Sequence, residues 1–233
     1  MANASTLDDM SPGRVQGVER AQRAPEGRFH ALAHLIDVPA LARAYRRQRA
    51  DAAVGVDGVT KEQDGQELEA NLQGLHARLK AQRYRHQPLR RVRIPKGQGK
   101  TRPSGISAFE DKLVQDAVRE VLEVIDEQDF LDCSYGFRPG RSAHDAVRTL
   151  DQIVHRGEVE WRREADIVSV FDSVDRTELK RMRERRVVDG SLLRRIGTCV
   201  HVGVLDGEAL SEPERGTTQG SVRSPLLGNV SLH

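Results

Sequence analysis

The strongest hydrophobic pattern in the chain lies at Leu113, Val114, Ala117, Val118, Val121, Leu122 and Ile125. This i, i+3, i+4 spacing buries one side of an α-helix. Ser107, with Glu110 three positions on, predicts a capping box at its start. Weaker versions of the pattern predict more helices. One stretch, 29–49, carries Leu32, Leu35, Ile36, Leu41 and Tyr45 and is interrupted at Pro39; another carries Leu68, Leu72, Leu75 and Leu79 on one stripe. A third opens at Ser142 with Ala146, Val147, Leu150 and Val154 inside, a fourth is capped by Asp175 with Glu178, and a fifth spans 192–202. Alternation is scarcer. Residues 90–96 and 101–106 flank Gly97-Gln98-Gly99-Lys100 and read as a hairpin, and a short apolar run ends near Asp166. Gly55 to Gly58, Cys133 to Arg141, Asp206-Gly207 and Gly216 to Gly220 are turns or loops, the last leading into a final helical run. Residues 1–27 carry little apolar content and read as a disordered lead-in. Many helices and few strands in irregular order, without an internal repeat, imply an α+β domain.

Charge sharpens this picture. The 233 residues carry a net charge of only +2. From Ala70 to Phe109, however, there is no Asp or Glu, and there are ten basic residues: Arg78, Lys80, Arg83, Arg85, Arg90, Arg91, Arg93, Lys96, Lys100 and Arg102. Solvated charged faces usually intersperse both signs, so an acid-free basic stretch points to a phosphate backbone or polyphosphate. Cys133 and Cys199 are too few for a disulfide framework, and a reducing cytoplasm is expected. The N-terminus lacks a signal peptide pattern, and no apolar run approaches the roughly 20 residues of a membrane span.

Several chemistries fall away. Gly99-Lys100-Thr101 lacks the upstream glycine of a P-loop and runs into Pro103 rather than a helix. His30 and His34 stand one turn apart without a third zinc ligand, and there is no Gly-x-Ser-x-Gly elbow. What remains is a combination. Asp166, in Ala165-Asp166-Ile167, is a carboxylate suited to a divalent metal where a strand gives way to a turn. Lys96 and Arg102 on the hairpin can clamp a triphosphate. The Gly216–Gly220 loop lets backbone amides approach a nucleotide, and the aromatic at Phe171 is placed to sit under a bound sugar.

With these features in this order the chain resembles group II intron reverse transcriptases, the intron-encoded maturase family, nearly unbroken from Phe29 to His233. The stretches are Gly55-Val56-Asp57-Gly58-Val59-Thr60, Ile94-Pro95-Lys96, Arg102-Pro103, Glu110-Asp111-Lys112, Ser134 through His144, Ala165-Asp166-Ile167, Phe171-Asp172, Gly216 through Gly220 and Ser224 through Asn229. The Ser-Tyr-Gly-Phe-Arg-Pro-Gly-Arg-Ser block at 134–142 is the most specific.

The resemblance implies a right-hand polymerase architecture. Its parts are a helical N-terminal extension over 28–85, fingers over 86–160 and an incomplete palm over 161–233. Asp166 matches the first catalytic aspartate and Ile167 the residue lending a carbonyl to Mg²⁺. Phe171 matches the sugar gate, Lys96 and Arg102 the triphosphate contacts, and Gln219 and Gly220 the nucleotide pocket. Arg83, Arg85, Arg90, Arg91, Arg93, Arg138 and Arg141 are the implied nucleic-acid contacts. The implied partners are intron RNA, a DNA primer and template, and dNTPs. The family's Tyr-Ala-Asp-Asp turn is absent from these residues, so a polymerase fragment lacking its second carboxylate motif is expected. A non-catalytic RNA-binding module assisting splicing, or an inert remnant of a mobile element, are the alternatives. Arg162, Arg163 and Arg223 stand where the family has apolar residues, and burying an unpaired arginine would cost several kcal/mol.

Overall fold

The computed structural model describes residues 12–24, 26–95, 97, 99–157, 159–167, 175–211 and 228–230. Its helices are α1 (Pro12–Arg23), α2 (Val38–Arg47), α3 (Lys61–Gly65), α4 (Leu68–Lys80), α5 (Phe109–Asp129), α6 (Ala143–His155), α7 (Arg176–Arg186) and α8 (Gly190–Val200). Its strands are β1 (Leu89–Pro95), β2 (Thr101–Ile106), β3 (Val204–Asp206) and β4 (Ala209–Ser211).

Helix α5 is the axle of the molecule. All seven residues of its predicted stripe are buried, and they meet Leu41 and Ala44 of α2, Leu72, Leu75 and Leu79 of α4, Leu179 of α7, and Leu192 and Ile196 of α8 in one cluster. Each Leu, Ile or Val among them contributes about 1.5–3 kcal/mol through removal from water. A second, acidic side of α5 is also buried, because arginines neutralise it. Arg43 reaches Glu120 at 2.6 Å, and Arg47 reaches Asp116 at 2.7 Å and Glu120 at 2.5 Å. From α7, Arg183 grips Asp126 with two bonds of 2.5 and 2.8 Å.

Several local expectations are corrected. Ser107 does not cap α5: it is buried and accepts from the Gln115 amide, Ala108 holds the cap position without a side-chain bond, and Asp57 accepts the Phe109 N–H at 2.9 Å. Pro39 does not interrupt a helix. It stands in the first turn of α2, where its missing N–H is no loss, and Asp37 caps that end by accepting from Ala40. The lead-in is not wholly without structure, since α1 spans Pro12–Arg23 and buries Val18 and Ala21. A Cβ on its Gly17 would stand 3.1 Å from Val124 of α5, so the glycine permits that approach. Helix α6 forms from Ser142 with a capping box to Asp145, yet Val147, Leu150 and Val154 are exposed. Among the described residues no strand leads up to Asp166: residues 161–167 are irregular and exposed.

The four strands make one sheet in the order β2-β1-β3-β4. Strands β1 and β2 pair antiparallel, with Arg90 opposite Ile106 and Pro95 opposite Thr101. The 206–207 turn closes the antiparallel pair β3–β4, and β3 joins β1 in parallel through Leu89↔Val204 and Arg90↔Leu205. Leu89, Val202 and Val204 form a small core under this junction. The later part of the chain therefore shares both a core and a sheet with the hairpin, giving a mixed α+β fold.

Candidate nucleic-acid interface and catalytic carboxylate

The β1–β2 hairpin carries six of the ten basic residues of the acid-free stretch. Its turn needs left-handed backbone at Gly97 (φ +82°) and Gly99 (φ +72°), and the Lys100 N–H closes it by donating to the Gly97 carbonyl at 3.0 Å. Side chains alternate across a strand. Arg91 and Arg93 therefore share one face of β1, while Arg102 of β2 lies opposite Ile94 on the other. Arg93, Lys100 and Arg102 are exposed and Arg91 is partly so. Arg93 pairs with Asp206 at 3.0 Å, but both side chains are well exposed, and such a pair is worth ~0–1 kcal/mol. A phosphate could replace that aspartate at little cost. Arg83 and Arg85, in the segment leading to β1, are also exposed.

Three of the arginines expected to contact nucleic acid are turned to structural tasks. Arg90 donates twice to the Val54 carbonyl, at 3.0 and 2.6 Å, pinning the start of β1 to the 50s loop. Arg138 is buried. It donates to the carbonyls of Leu131 at 2.7 Å and Ser134 at 3.0 Å, pairs with Glu127 and lies over the Phe130 ring. Arg141 holds Asp132 and the Ser134 carbonyl and lies over Tyr135. The 131–141 loop is stapled from within by these two residues, so its specific sequence codes for a rigid loop shape.

The root of the hairpin is fixed by a buried polar node that the sequence did not disclose. Asp111 of α5 accepts from the Tyr84 hydroxyl and from the Gln87 N–H at 3.0 Å, and His86 Nδ1 lies 3.3 Å from it. Burial drives the Asp111 carboxyl up to about 7, while the Tyr84 and Gln87 hydrogen bonds act against the rise. Its neighbours on α5 hold two further segments: Glu110 pairs with Arg78 at the end of α4, and Lys112 donates to the Ala53 carbonyl at 2.6 Å. Three consecutive residues thus set where the hairpin emerges. The only sequence clue was the acidic run opening the long helix.

Asp166 and Ile167 are exposed and lie in the irregular segment after α6. Arg162 and Arg163 of the same segment are exposed too, so neither is a buried unpaired charge. Among the described residues no three His, Cys, Asp or Glu side chains are grouped closely enough to hold a metal ion. Lys96, Phe171, Gln219, Gly220 and Arg223 lie outside the described residues; among those described, Arg91 and Arg93 share one face of the hairpin and Arg102 stands on the other. Among the described residues, no helix is long and apolar enough to cross a membrane.

Residues 94–233 match the family described as reverse transcriptase (RNA-dependent DNA polymerase). Protein YkfC of Escherichia coli (strain K12) is 38% identical over 216 residues, 90% of this chain and 57% of that protein. The group II intron-encoded protein LtrA of Lactococcus lactis subsp. cremoris is 40% identical over 156 residues, 66% of this chain and 26% of LtrA. The chain thus spans little more than half of one relative and a quarter of the other. Among solved structures, a chain of the partial Cas6-RT-Cas1--Cas2 complex superposes with a TM-score of 0.54 at 23% identity, covering 85% of this chain and 33% of that one. That likeness is one of fold.

Proposed function

Because this chain belongs to the reverse transcriptase (RNA-dependent DNA polymerase) family, in its group II intron-encoded maturase branch, we propose that it supplies the fingers and the first part of the palm for copying intron RNA into DNA. The observation that carries the proposal is a rigidly rooted hairpin on which the exposed Arg93 and the partly exposed Arg91 share one face. A two-stranded ribbon held at its base by Asp111 and Arg90 can present these charges to a phosphate backbone without paying to order them first. Lys96 and Arg102 then serve the incoming dNTP, Gln219 and Gly220 line its pocket, and Phe171 stands under the sugar. Asp166 supplies one carboxylate to a divalent-metal site, Mg²⁺ by the preference for oxygen ligands.

A non-catalytic role, helping an intron RNA to fold, would use the same basic hairpin without chemistry. Both readings require RNA binding, which is the first test. Affinity of the full chain for intron-type RNA should fall linearly with log salt, each neutralised phosphate adding roughly −0.7 to −0.9 to the slope. Arg91→Ala with Arg93→Ala should flatten it by about 1.5–2. Binding that is indifferent to salt between 50 and 300 mM would remove the proposal.

A further inference from the structure

On the side of α5 reached by the 50s loop and α3 there is a cleft of about 480 Å³. Asp57, Asp64 and Glu110 line it together with Gln63, Asn71 and Phe109, and no Lys, Arg or His is among its lining residues. We infer that this cleft is a binding site for an organic cation, a guanidinium or primary ammonium group, with Asp64 as its main acceptor.

The three carboxylates differ in what they already hold. Asp57 accepts backbone N–H groups from Val59 at 3.3 Å and Phe109 at 2.9 Å. Glu110 gives both oxygens to Arg78. Asp64 is 8% exposed; its Oδ1 accepts only from Asn71 at 3.5 Å, and its Oδ2 has no hydrogen-bond partner. A buried carboxylate without a partner is expensive, and buried charges are normally paired. Burial, followed by the fields of Glu110 and Asp57, raises the Asp64 carboxyl, and a cation seated beside it would stabilise its charged form.

The shape of the cleft selects the kind of cation. Mg²⁺ demands near-octahedral oxygen ligands about 2.0–2.1 Å away, and among the described residues no three acidic or other ligating side chains are grouped for one ion. The volume lies in the range of small-molecule sites, roughly 300–1,000 Å³. Phe109 and Val59 add apolar wall, which suits the flat face of a guanidinium or the alkyl stem of an amine. Such a group can come from a free polyamine or from the side chain of a bound protein.

The test is calorimetric titration of the full chain with spermidine, with N-acetyl-arginine amide and with MgCl₂, on the natural protein and three variants. Saturable binding of spermidine alone identifies a polyamine, and binding of the arginine amide identifies a protein side chain; either supports the site. Asp64→Asn should weaken that binding roughly 10- to 100-fold. Without probe it should melt no lower than the natural protein, since it removes an uncompensated charge. Glu62→Gln, exposed on the same short helix, should change binding less than about twofold, as a solvent-screened charge does. Gln63→Arg, at a residue lining the cleft, should occupy it with its own guanidinium and abolish probe binding, while the Thr60 N–H bond to Gln63 that it loses offsets any gain in melting temperature. The inference is overturned if neither organic cation binds saturably, if MgCl₂ displaces them at equal concentration, or if Gln63→Arg binds the probe as before. A destabilised Asp64→Asn would likewise overturn it, because Asp64 would then be a satisfied structural residue.

Discussion

Oδ2 of Asp189 accepts the backbone N–H of Leu32 at 2.6 Å, joining segments 157 residues apart. The same oxygen accepts from Ala33 at 2.7 Å, while Oδ1 caps α8 by accepting from Ser191 at 2.9 Å and Leu192 at 3.1 Å. One carboxylate thus ends the N-terminal connection and starts a C-terminal helix. Burial acts to raise its pKa, but these four amides together hold it below the usual carboxylate value. Asp189→Ala should cost about 2–4 kcal/mol, combining a lost cap with a buried amide left unpaired, as read from urea unfolding. A cost under about 0.5 kcal/mol would mean that the join is dispensable.

The buried Arg183–Asp126 pair ties α7 to α5. Removing one partner strands the other charge, so Asp126→Asn should cost about 3–5 kcal/mol. Replacing both by Leu and Met should recover much of that loss in the same unfolding experiment. A double variant as unstable as the single one would show that the pair contributes more than mutual neutralisation.

Asp111 predicts a pH dependence. Its folded carboxyl titrates near 7, pushed up by burial, whereas in the unfolded chain it should titrate near 3.9. The folded state therefore holds the proton more tightly, so the contribution of Asp111 is full below about pH 4 and declines as pH rises through about 7. The stability of the natural protein minus that of Asp111→Asn should fall over that window, by at most ~1.4 kcal/mol per pH unit. Chemical denaturation at pH 5, 6, 7 and 8 measures it; a difference that grows with pH would contradict the assignment.

What the chain's sequence discloses and what it conceals follow one physical division. The α5 stripe, the 68–79 stripe, the glycine-turned hairpin and the Asp175 cap are local patterns, and each is found where the pattern places it. One misreading comes from a partner distant in sequence. Phe109 N–H is met by Asp57, 52 residues upstream, so the local Ser107–Glu110 motif is idle. Arg138 and Arg141 look like phosphate ligands in sequence and are claimed by nearby carbonyls. The apolar face of α6 has the right spacing but is exposed at Val147, Leu150 and Val154, because periodicity reports a face and not what covers it. Of the candidate site, the basic hairpin was legible; the Asp111 node at its root was not.

That division separates the hairpin arginines by effect. Arg90→Ala should destabilise the protein by about 1–3 kcal/mol, since it removes the two hydrogen bonds to the Val54 carbonyl. Arg93→Ala should leave stability within about 0.5 kcal/mol while weakening RNA binding, because its pairing with Asp206 is solvent-exposed. Thermal melts alongside RNA titrations distinguish the two. Equal destabilisation by both would place Arg93 in the framework and not on the binding face.

The most direct measurement is primer extension by this chain fused in frame to the remaining domains of a full-length relative, with and without Asp166→Asn. The fusion should incorporate dNTPs on an RNA template in Mg²⁺, and Asp166→Asn should abolish incorporation while RNA affinity is retained, because a neutral amide binds the ion far more weakly than a carboxylate. Extension by Asp166→Asn at the parental rate would contradict the account.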